Sequence, residues 1–265
     1  MEKVPVSVLI LAKNEEKNIA DCIKSVPFAA EIIVIDDFSS DKTADISRSL
    51  GAKVIDHALE GNWGAQQTFA IKQASLPWIF FLDADERVSA ALGEEIVRLV
   101  GIDDRNLAYA CARLSYFWGQ PLRHGGWYPD YVTRLIPTAQ TYVTGFVHPK
   151  IVHPYREIKL PSKMYLIHYP YRDWEHYFGK LNFYTTLAAK KAREQGRTAT
   201  LLDMLMHPAW ATFRMYLLRG GWRDGRIGFI LSMFHFFYTM AKYVKLYYLT
   251  KTNDHVGDKD SCKNL

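Results

Sequence analysis

Four short apolar runs alternate with helical patterns over the first hundred residues, and this alternation restricts the possible folds more than any other feature. The runs are Val6–Leu11, Ile32–Ile35, Ala52–Ile55 and Trp78–Leu82, each typical of a buried strand. Amphipathic or helix-favouring stretches lie between them, at 15–26, 40–50 and 64–74. Strands joined by helices require right-handed crossovers. The sequence therefore predicts an α/β fold with a mostly parallel central sheet.

Polar clusters follow three of these strands. Lys13-Asn14-Glu15 follows the first, Asp36-Asp37 ends the second, and Asp83-Ala84-Asp85 follows the fourth. In parallel sheets, ligands bind at the carboxyl ends of the strands. The sequence therefore predicts a binding site at this edge.

The residue types indicate what that site binds. Asp83 and Asp85 can supply the oxygen ligands that Mg²⁺ or Mn²⁺ prefers, with positions left for phosphate oxygens. A solvated turn is the alternative for two isolated carboxylates. Asp36 or Asp37 can accept hydrogen bonds from a ribose or a base, and helix capping is the alternative there. The G-x-G-x-x-G and G-x-x-x-x-G-K-[ST] patterns are absent from the sequence, so neither a dinucleotide fold nor a P-loop is supported.

Residues 101–170 contain three further predicted strands, at 109–116, 131–136 and 141–152. The connection from 117 to 130 is rich in Gly, Trp, His and Pro. A connection of this length inside a compact domain is usually functional.

Residues 171–251 are predicted to be helical, aromatic and basic. The stretch from Arg197 to Lys251 contains eight Lys and Arg but only two Asp, a net charge of +6. This exceeds the net charge of the whole chain, which is +5. The stretch 228–249 is about long enough to span a bilayer, but His235, Lys242 and Lys245 interrupt it. We therefore expect peripheral binding to an anionic membrane face rather than a crossing. Simple helix packing is the alternative, and no nucleic-acid module is recognisable.

Two smaller features bear on location. The three cysteines form no pairing or zinc pattern, which favours a reducing compartment. The apolar run at the N-terminus contains Pro5 and is predicted to be a strand rather than a signal peptide. These features predict a cytoplasmic protein on the inner face of the cell membrane.

The order of four segments resembles family 2 glycosyltransferases of the GT-A fold. The segments are V-S-V-L-I-L-A-K-N-E-E, I-I-V-I-D-D-F-S-S-D-K-T, G-N-W-G-A-Q-Q and W-I-F-F-L-D-A-D-E. G-N-W-G-A-Q-Q, G-G-W-Y-P-D-Y-V-T-R-L and the aromatic-basic C-terminus resemble the lipopolysaccharide-core β-1,4-glucosyltransferase branch. The resemblance covers about residues 4–170 and implies a GT-A domain at 1–170. The aromatic and basic stretch at 171–251 is predicted to be a helical membrane-associating extension, and the polar stretch at 252–265 is predicted to be a flexible tail.

The resemblance also implies a nucleotide-sugar donor, a divalent metal and a set of donor-side residues. Asp85 would ligate Mg²⁺ or Mn²⁺, and Asp83 would face the ribose and the metal. Asp36 or Asp37 would hold the ribose or uracil. The other donor-side residues are Ala12, Asn14, Glu15, Asn62, Gln66 and Arg134. Many relatives carry an Arg where this chain has Gln66-Gln67.

The catalytic base would be Asp130. Many family members have a Glu-Asp pair followed by Arg; here the Glu is missing, but Asp130 and Arg134 keep the Asp-x-x-x-Arg spacing. A carboxylate within hydrogen-bond reach can remove the proton of an acceptor hydroxyl as the new bond forms. His148 would complete the metal site, with His168 as its competitor. His124 and Trp127 would contact the acceptor sugar.

The sequence therefore predicts an inverting glycosyltransferase that moves a sugar, glucose in the closest resemblance, from a UDP-sugar to a saccharide hydroxyl of a lipid-linked glycan. One alternative is a polyprenyl-phosphate glycosyltransferase of the same fold, which needs a base at Asp130 less. The other alternative is a nucleotide-binding protein without catalysis.

Overall fold

The structure is a computed structural model that describes residues 2–146 and 149–256. These residues form two compact units. The first contains the chain up to Tyr116 and Pro129–Tyr169, and the second contains Phe117–Tyr128 and the chain from Pro170 onward.

The first unit is built on strands and helices that alternate through its N-terminal half. The strands there are β1 (Val4–Ala12), β2 (Ala29–Asp36), β3 (Lys53–Asp56), β4 (Trp78–Asp83) and β5 (Glu86–Val88). The helices are α1 (Ile19–Lys24), α2 (Thr43–Ser49), α3 (Trp63–Gln73) and α4 (Ala90–Ile102). The later strands are β6 (Leu107–Phe117), β8 (Asp130–Pro137), β9 (Tyr142–Thr144), β10 (Lys150–Val152), β11 (Arg156–Lys159) and β12 (Tyr165–His168), with β7 (Gln120–Pro121) in the second unit.

The main sheet has the order β3-β2-β1-β4-β8-β6-β12-β5. The first four strands in this order are parallel to one another. Strand β8 is antiparallel to both β4 and β6, while β11 and β12 pair with β6 in parallel. The predicted mostly parallel sheet is therefore confirmed, with antiparallel pairing at β8, between β4 and β6, and at the edge strand β5, which pairs with β12.

Both faces of the sheet are covered, which explains why its strands are continuous apolar runs. Along β1, Val6, Val8 and Ile10 enter one core, with residues of α1 and α4. Leu9 points to the opposite face and joins a second core, with residues of α3. This alternation follows from the two-residue period of a strand.

Several elements differ from the sequence prediction. Helix α1 begins at Ile19 rather than at Glu15, because the backbone amides of Asn14, Glu15 and Glu16 donate to side chains of the 39–43 loop. The strand predicted at 141–152 is instead the antiparallel pair β9 and β10, and Gly145 just after β9 has a positive φ of 95°. Strands β5, β7, β11 and β12 and helix α4 were not predicted.

The second unit is helical, as predicted for this part of the chain. It contains α5 (Trp174–Glu194), α6 (Asp203–Phe213) and α7 (Gly225–Val256). Helix α6 continues into a π-helical turn at Arg214–Leu218, and a 3₁₀ turn at Gly221–Asp224 precedes α7. Phe117, Leu122, Tyr177, Met215 and Leu231 form its principal core.

Helix α7 packs on its neighbours within this unit. The Nζ atom of Lys245 lies 2.7–2.8 Å from four acceptor atoms of α5, on residues Asn182, Thr185 and Thr186, and donates its three hydrogens among them. By length and composition the helical stretch Gly221–Lys251 could cross a membrane, with 22% of its most apolar window buried. The contacts of Lys245 show that this residue has a structural role in the unit.

Candidate functional site

The strand ends singled out in the sequence are neighbours in the sheet. Strand β1 lies between β2 and β4, so Ala12 is paired with Asp36 on one side and Leu11 with Asp83 on the other. The backbone N–H of Asp37 donates to the carbonyl of Ala12 at 2.9 Å. Because adjacent strands are about 4.8 Å apart, the polar clusters of all three strands converge at one edge, as the sequence predicts.

The loops after β1 and β2 are joined by hydrogen bonds. Asn14 has a positive φ of 55°, and its side-chain oxygen accepts from the backbone N–H of Ser40 at 2.8 Å. The N–H of Glu15 donates to Thr43 Oγ1 at 2.8 Å. The predicted donor residues of this loop are therefore brought beside those of β2 and held there.

Asp36 and Asp37 have different environments. Asp36 is buried, and its carboxylate accepts from the N–H and the hydroxyl of Ser39. Asp37 pairs with Lys13 at 2.7 Å and accepts from the N–H of Leu59 at 3.0 Å. Desolvation opposes ionisation of Asp37, but the hydrogen bonds from Lys13 and Leu59 outweigh it and hold its pKa below the ordinary value. Asp37 is the more accessible of the two predicted ribose or base ligands.

The end of β4 is organised by a buried charge network. Arg134 of β8 donates from Nη2 to Asp83 at 2.6 Å and to Glu86 at 2.7 Å. Glu86 is fully buried and also accepts from the backbone N–H of Asp83 at 3.1 Å. The ion pair between Arg134 and Glu86 therefore fixes the turn that carries Asp83 and Asp85. Direct contact between Arg134 and a donor stays a prediction, one that its buried position does not favour.

The pKa values of the two carboxylates that Arg134 contacts are shifted in opposite directions. Burial opposes the charge on Asp83, but the adjacent guanidinium of Arg134 outweighs it and lowers the pKa. Burial raises the pKa of Glu86, and its positive neighbours offset this only in part. Asp83 is therefore the carboxylate that the site keeps ionised, and its side chain is 46% exposed.

Asp130 joins the same network through Arg113. It begins β8 opposite Arg113 of β6, and Arg113 donates from Nη2 and Nε to its Oδ2 atom at 2.6 and 3.0 Å. Arg113 also lies 3.5 Å from Glu86. The chain of contacts Asp130–Arg113–Glu86–Arg134–Asp83 is therefore continuous, and the candidate base is linked to the candidate metal side of the site.

Asp85 lies beside His168, with 3.7 Å between Oδ2 and Nε2. Strand β12 places His168 opposite Glu86, one residue from Asp85. Ser115 Oγ is 3.0 Å from Nδ1 of the same ring, so the ring is oriented with its other nitrogen towards Asp85. Of the two histidines proposed as metal ligands, His168 is near Asp85, whereas His148 falls outside the described residues.

The donor atoms around Asp85 fit a cation that is shared with a phosphorylated substrate. Within 2–146 and 149–256, no group of three or more His, Cys, Asp or Glu could hold a metal ion alone. Mg²⁺ and similar ions, however, are usually bound through one or two carboxylates together with substrate phosphates. One carboxylate and one oriented imidazole meet that requirement, while a complete protein cage is not present among these residues.

Asn62 and Gln66 are engaged by the protein. Asn62 accepts from the N–H of Ala65 at 3.0 Å and so caps α3. Gln66 is buried, and its amide exchanges two hydrogen bonds with His57. Asn62 also lines a cavity of about 570 Å³ beside α3. Contact of these two residues with a nucleotide stays a prediction.

The two predicted acceptor residues, His124 and Trp127, belong to the second unit. His124 donates from Nδ1 to Asp224 at 2.6 Å, and its backbone N–H donates to the same carboxylate. Trp127 lines a cavity with residues of α5, α6 and α7. Their role towards an acceptor stays a prediction.

Sequence reasoning did not identify three residues that organise the site. Glu86, Arg113 and Ser115 act through Asp83, Asp130 and His168 respectively. Glu86 follows the acidic motif directly, which is a weak signal. Arg113 and Ser115 lie in an ordinary strand pattern, and nothing in the sequence separates them from their neighbours.

The fold and the acidic edge define the class of protein. A mostly parallel sheet with carboxylates at adjacent strand ends, followed by a helical region, is the GT-A architecture that the sequence predicts. Residues 7–138 match the sequence model of the family described as "Glycosyl transferase family 2". The chain belongs to glycosyltransferase family 2, and the resemblance seen in the sequence is confirmed.

Sequence similarity to other proteins extends over nearly the whole chain. The chain is 30% identical to the lipopolysaccharide core biosynthesis glycosyltransferase LpsC of Rhizobium meliloti, over 97% of each protein. It is 28% identical to an uncharacterized glycosyltransferase of Rickettsia prowazekii, over 98% of this chain and 92% of that protein. The chain is thus a homologue of a lipopolysaccharide-core glycosyltransferase.

Similar solved structures are more distant. Residues 1–349 of TarS from S. aureus are 16% identical, with 97% of this chain and 92% of that chain covered and a TM-score of 0.47. Glucosyl-3-phosphoglycerate synthase from Mycobacterium tuberculosis, in complex with Mn²⁺, UDP and glucosyl-3-phosphoglycerate, is 21% identical over 43% of this chain and 44% of that chain, with a TM-score of 0.35.

Proposed function

We propose that this protein is an inverting glycosyltransferase that transfers a hexose from a UDP-sugar to a hydroxyl of a lipid-linked saccharide of the lipopolysaccharide-core type. Its homology to a lipopolysaccharide-core glycosyltransferase supports the acceptor class. The hexose and the uridine nucleotide follow from the family resemblance of the sequence.

One observation carries the proposal. Asp130 is connected to Asp83 by alternating carboxylates and guanidiniums, at contacts of 2.6–3.5 Å. A donor would bind with its pyrophosphate near Asp83 and Asp85. Its sugar would then point towards Asp130, whose carboxylate is held in a fixed orientation by Arg113. A nucleotide-binding protein without catalysis has no need of this arrangement.

The chemistry assigned to the residues is a single displacement. The acceptor oxygen forms a bond to the anomeric carbon while the bond from that carbon to the diphosphate breaks, and UDP leaves with the bonding electrons. Asp130 takes the hydroxyl proton as the bond forms, and Arg113 orients the Asp130 carboxylate. Attack opposite the leaving group inverts the anomeric centre, and one carboxylate is enough for this pathway.

Asp85 and His168 would hold a divalent cation, Mg²⁺ or Mn²⁺. When bound, such an ion stabilises the charge that develops on the leaving diphosphate. Ser115 would keep the Nε2 atom of His168 directed towards Asp85, as partners of metal-binding histidines commonly do.

A carboxylate at Asp130 also bears on the alternative acceptor. A phosphate nucleophile is already ionised and needs no base. The position of Asp130 in the network therefore favours a hydroxyl acceptor over a polyprenyl phosphate.

We also propose that the protein binds peripherally to the inner face of the cell membrane. Several large apolar side chains of the second unit are exposed, among them Trp210 at 58% and Leu218 at 62%. From Phe117 to Tyr128 and from Pro170 to Val256, the sequence has 14 Lys and Arg against six Asp and Glu. Exposed aromatics beside basic residues favour an anionic lipid surface.

A donor screen tests the enzymatic proposal. Purified protein is supplied with UDP-sugars and other nucleotide sugars, together with lipopolysaccharide-core acceptor extracted from membranes, and nucleotide release and glycosylated product are both measured. We expect release to require Mg²⁺ or Mn²⁺ and to be stopped by a chelator. Product formation with a polyprenyl phosphate instead of the saccharide would overturn the acceptor assignment.

Asp85→Asn is the matched variant for the metal assignment. Removing the charge of this ligand should abolish metal-dependent donor binding, measured by calorimetry with UDP in the presence and absence of Mn²⁺. Asp45→Asn serves as a control, because Asp45 lies on the outer surface of α2 with its side chain 84% exposed. Metal dependence that is unchanged in Asp85→Asn would remove Asp85 from this role.

A further inference from the structure

The second unit contains a cavity of about 470 Å³ that the donor chemistry does not use. This volume lies in the range of pockets that hold small ligands. Its wall combines four aromatic rings with two guanidinium groups: Trp127, Tyr171, Tyr177, Tyr238, Arg214 and Arg219. None of its lining residues is Asp or Glu.

The π-helical turn explains why two arginines reach one cavity. In a regular α-helix, residues five positions apart lie about 140° apart around the axis. Here the backbone N–H of Arg219 donates to the carbonyl of Arg214 at 2.8 Å, which is the wider hydrogen bond of a π-helix. The inserted residue brings both side chains onto the cavity wall. Such turns occur frequently at functional sites.

The Gly125-Gly126 turn makes room for one of these side chains. Gly126 has a φ of 88°, and a Cβ atom placed on it would lie 2.5 Å from Nη1 of Arg219. The N–H of Gly125 donates to the carbonyl of Arg219 at 2.9 Å. The loop that carries Trp127 is therefore fitted against the segment that carries the arginines.

The cavity is positively charged. Among the described residues, neither Arg214 nor Arg219 forms an ion pair with a carboxylate. The nearby acid Asp224 is already bound by His124. Burial lowers the pKa of His235, and the charges of Lys242 and Arg219 lower it further, so this lining residue stays neutral near pH 7. The charge is therefore that of guanidiniums, which do not titrate in proteins.

The aromatic part suits a sugar. The faces of Trp127 and the tyrosines can pack on the C–H groups of a pyranose ring, while tyrosine hydroxyls bond its oxygens. Burial raises the pKa of Tyr171 and of Tyr238, so both hydroxyls remain protonated donors. Guanidiniums bind phosphate or carboxylate through paired hydrogen bonds.

We propose that this cavity binds an anionic saccharide, namely a sugar residue of the acceptor that carries a phosphate or a carboxylate. The assignment to the acceptor rests on the function proposed above. The anion would bind between Arg214 and Arg219, with the sugar ring against Trp127 and the tyrosines.

The test uses the full-length protein and deacylated lipopolysaccharide-core oligosaccharide as the probe. The probe is prepared in three forms: native, dephosphorylated with hydrofluoric acid, and carboxyl-reduced. Calorimetry then measures its dissociation constant. We expect at least tenfold weaker binding when the relevant anion is removed, and the form that loses affinity identifies phosphate or carboxylate as the bound group.

Arg214→Gln with Arg219→Gln should weaken binding of the native probe at least tenfold and raise the acceptor KM, with the donor KM unchanged. Lysine at both positions should recover part of the affinity. Both arginines are exposed, so circular dichroism and thermal unfolding should match those of the unaltered protein. Arg226→Gln is the control, since Arg226 is exposed on α7 and does not line the cavity.

The outcomes separate the two proposals. Equal affinity for all three probe forms, or binding unaffected by the double glutamine variant, overturns the cavity assignment even if the enzyme is active. Arginine-dependent binding of the probe without any nucleotide-sugar turnover would instead leave the cavity assignment standing and overturn the proposed function.

Discussion

At the scale of single residues, the site is defined by which carboxylates are neutralised and which remain accessible. Glu86 is fully buried and shares Arg134 with Asp83, whereas Asp130 has a side chain that is 47% exposed. A buried carboxylate has a structural role here, because it fixes the turn after β4. An exposed carboxylate in a fixed orientation can instead meet a substrate hydroxyl.

Asp130→Asn should therefore separate binding from chemistry. The amide keeps the size of the side chain but cannot accept the proton, so we expect kcat to fall by about 10²–10⁴-fold. Steady-state kinetics should show the donor KM changed by less than about twofold. Thr133→Ser, on the same strand, is a suitable control. Turnover that survives in Asp130→Asn would place the base elsewhere.

At the scale of elements, Glu31 joins two strands and the segment before a third. Its carboxylate accepts from the hydroxyl of Ser7 in β1 and from the N–H and hydroxyl of Ser75, the last two at 3.0 and 2.9 Å. Desolvation opposes ionisation of Glu31, but these hydrogen bonds outweigh it and lower its pKa. The edge near the start of β4 is therefore held by a charged acceptor.

Glu31→Gln should lower the free energy of unfolding at pH 7 by about 1–3 kcal/mol, because hydrogen bonds to a charged group are lost. The lowered pKa means that this stabilisation is complete above the unfolded pKa of about 4.3 and is lost as the pH falls through the folded value. The variant should thus lose less stability than the original protein between about pH 5 and 3.

Urea unfolding over that pH range measures both effects. Asp45→Asn, which removes a largely exposed charge on α2, should change stability by less than about 0.5 kcal/mol. Parallel pH profiles for Glu31→Gln and the original protein would show that Glu31 contributes no pH-dependent stability.

At the scale of the whole molecule, charge and exposed apolar area are concentrated in one part of the chain. The second unit exposes Trp210, Phe213 and Leu217 on α6 and its π-helical extension, with 44–58% of each residue accessible. Polar contacts meanwhile hold α7 to α5 through Lys245. Because α7 is hydrogen-bonded to α5, we propose that this unit binds along a membrane surface and that α7 does not cross the membrane.

Serine at Trp210, Phe213 and Leu217 together should weaken binding to vesicles that contain phosphatidylglycerol by about tenfold or more, because apolar contact with lipid is lost. Cosedimentation measures the bound fraction, which should also fall as salt screens the basic residues. Ile102→Ser is the control, since Ile102 is equally exposed, at 59%, in the first unit. Equal vesicle binding by the triple variant and this control would contradict the membrane assignment.

Much of the first unit could be predicted because its pattern is local. The apolar runs of β1 to β4 and the acidic residues that follow them are visible in the sequence, and the parallel order places those residues at one edge. The start of α1 was missed because the amides of residues 14–16 are satisfied by side chains about 25 positions away. Local periodicity contains no information about such partners.

The sequence by itself determined the strand ends, their carboxylates and the family to which the chain belongs. Only the tertiary structure decided that Arg134 binds Asp83 and Glu86, that Arg113 holds Asp130, and that His168 lies beside Asp85. These pairs are separated by 17 to 83 positions along the chain, and they form because β8, β6 and β12 occupy neighbouring places in the sheet. Strand order depends on contacts between distant parts of the chain, which no local spacing of residues specifies.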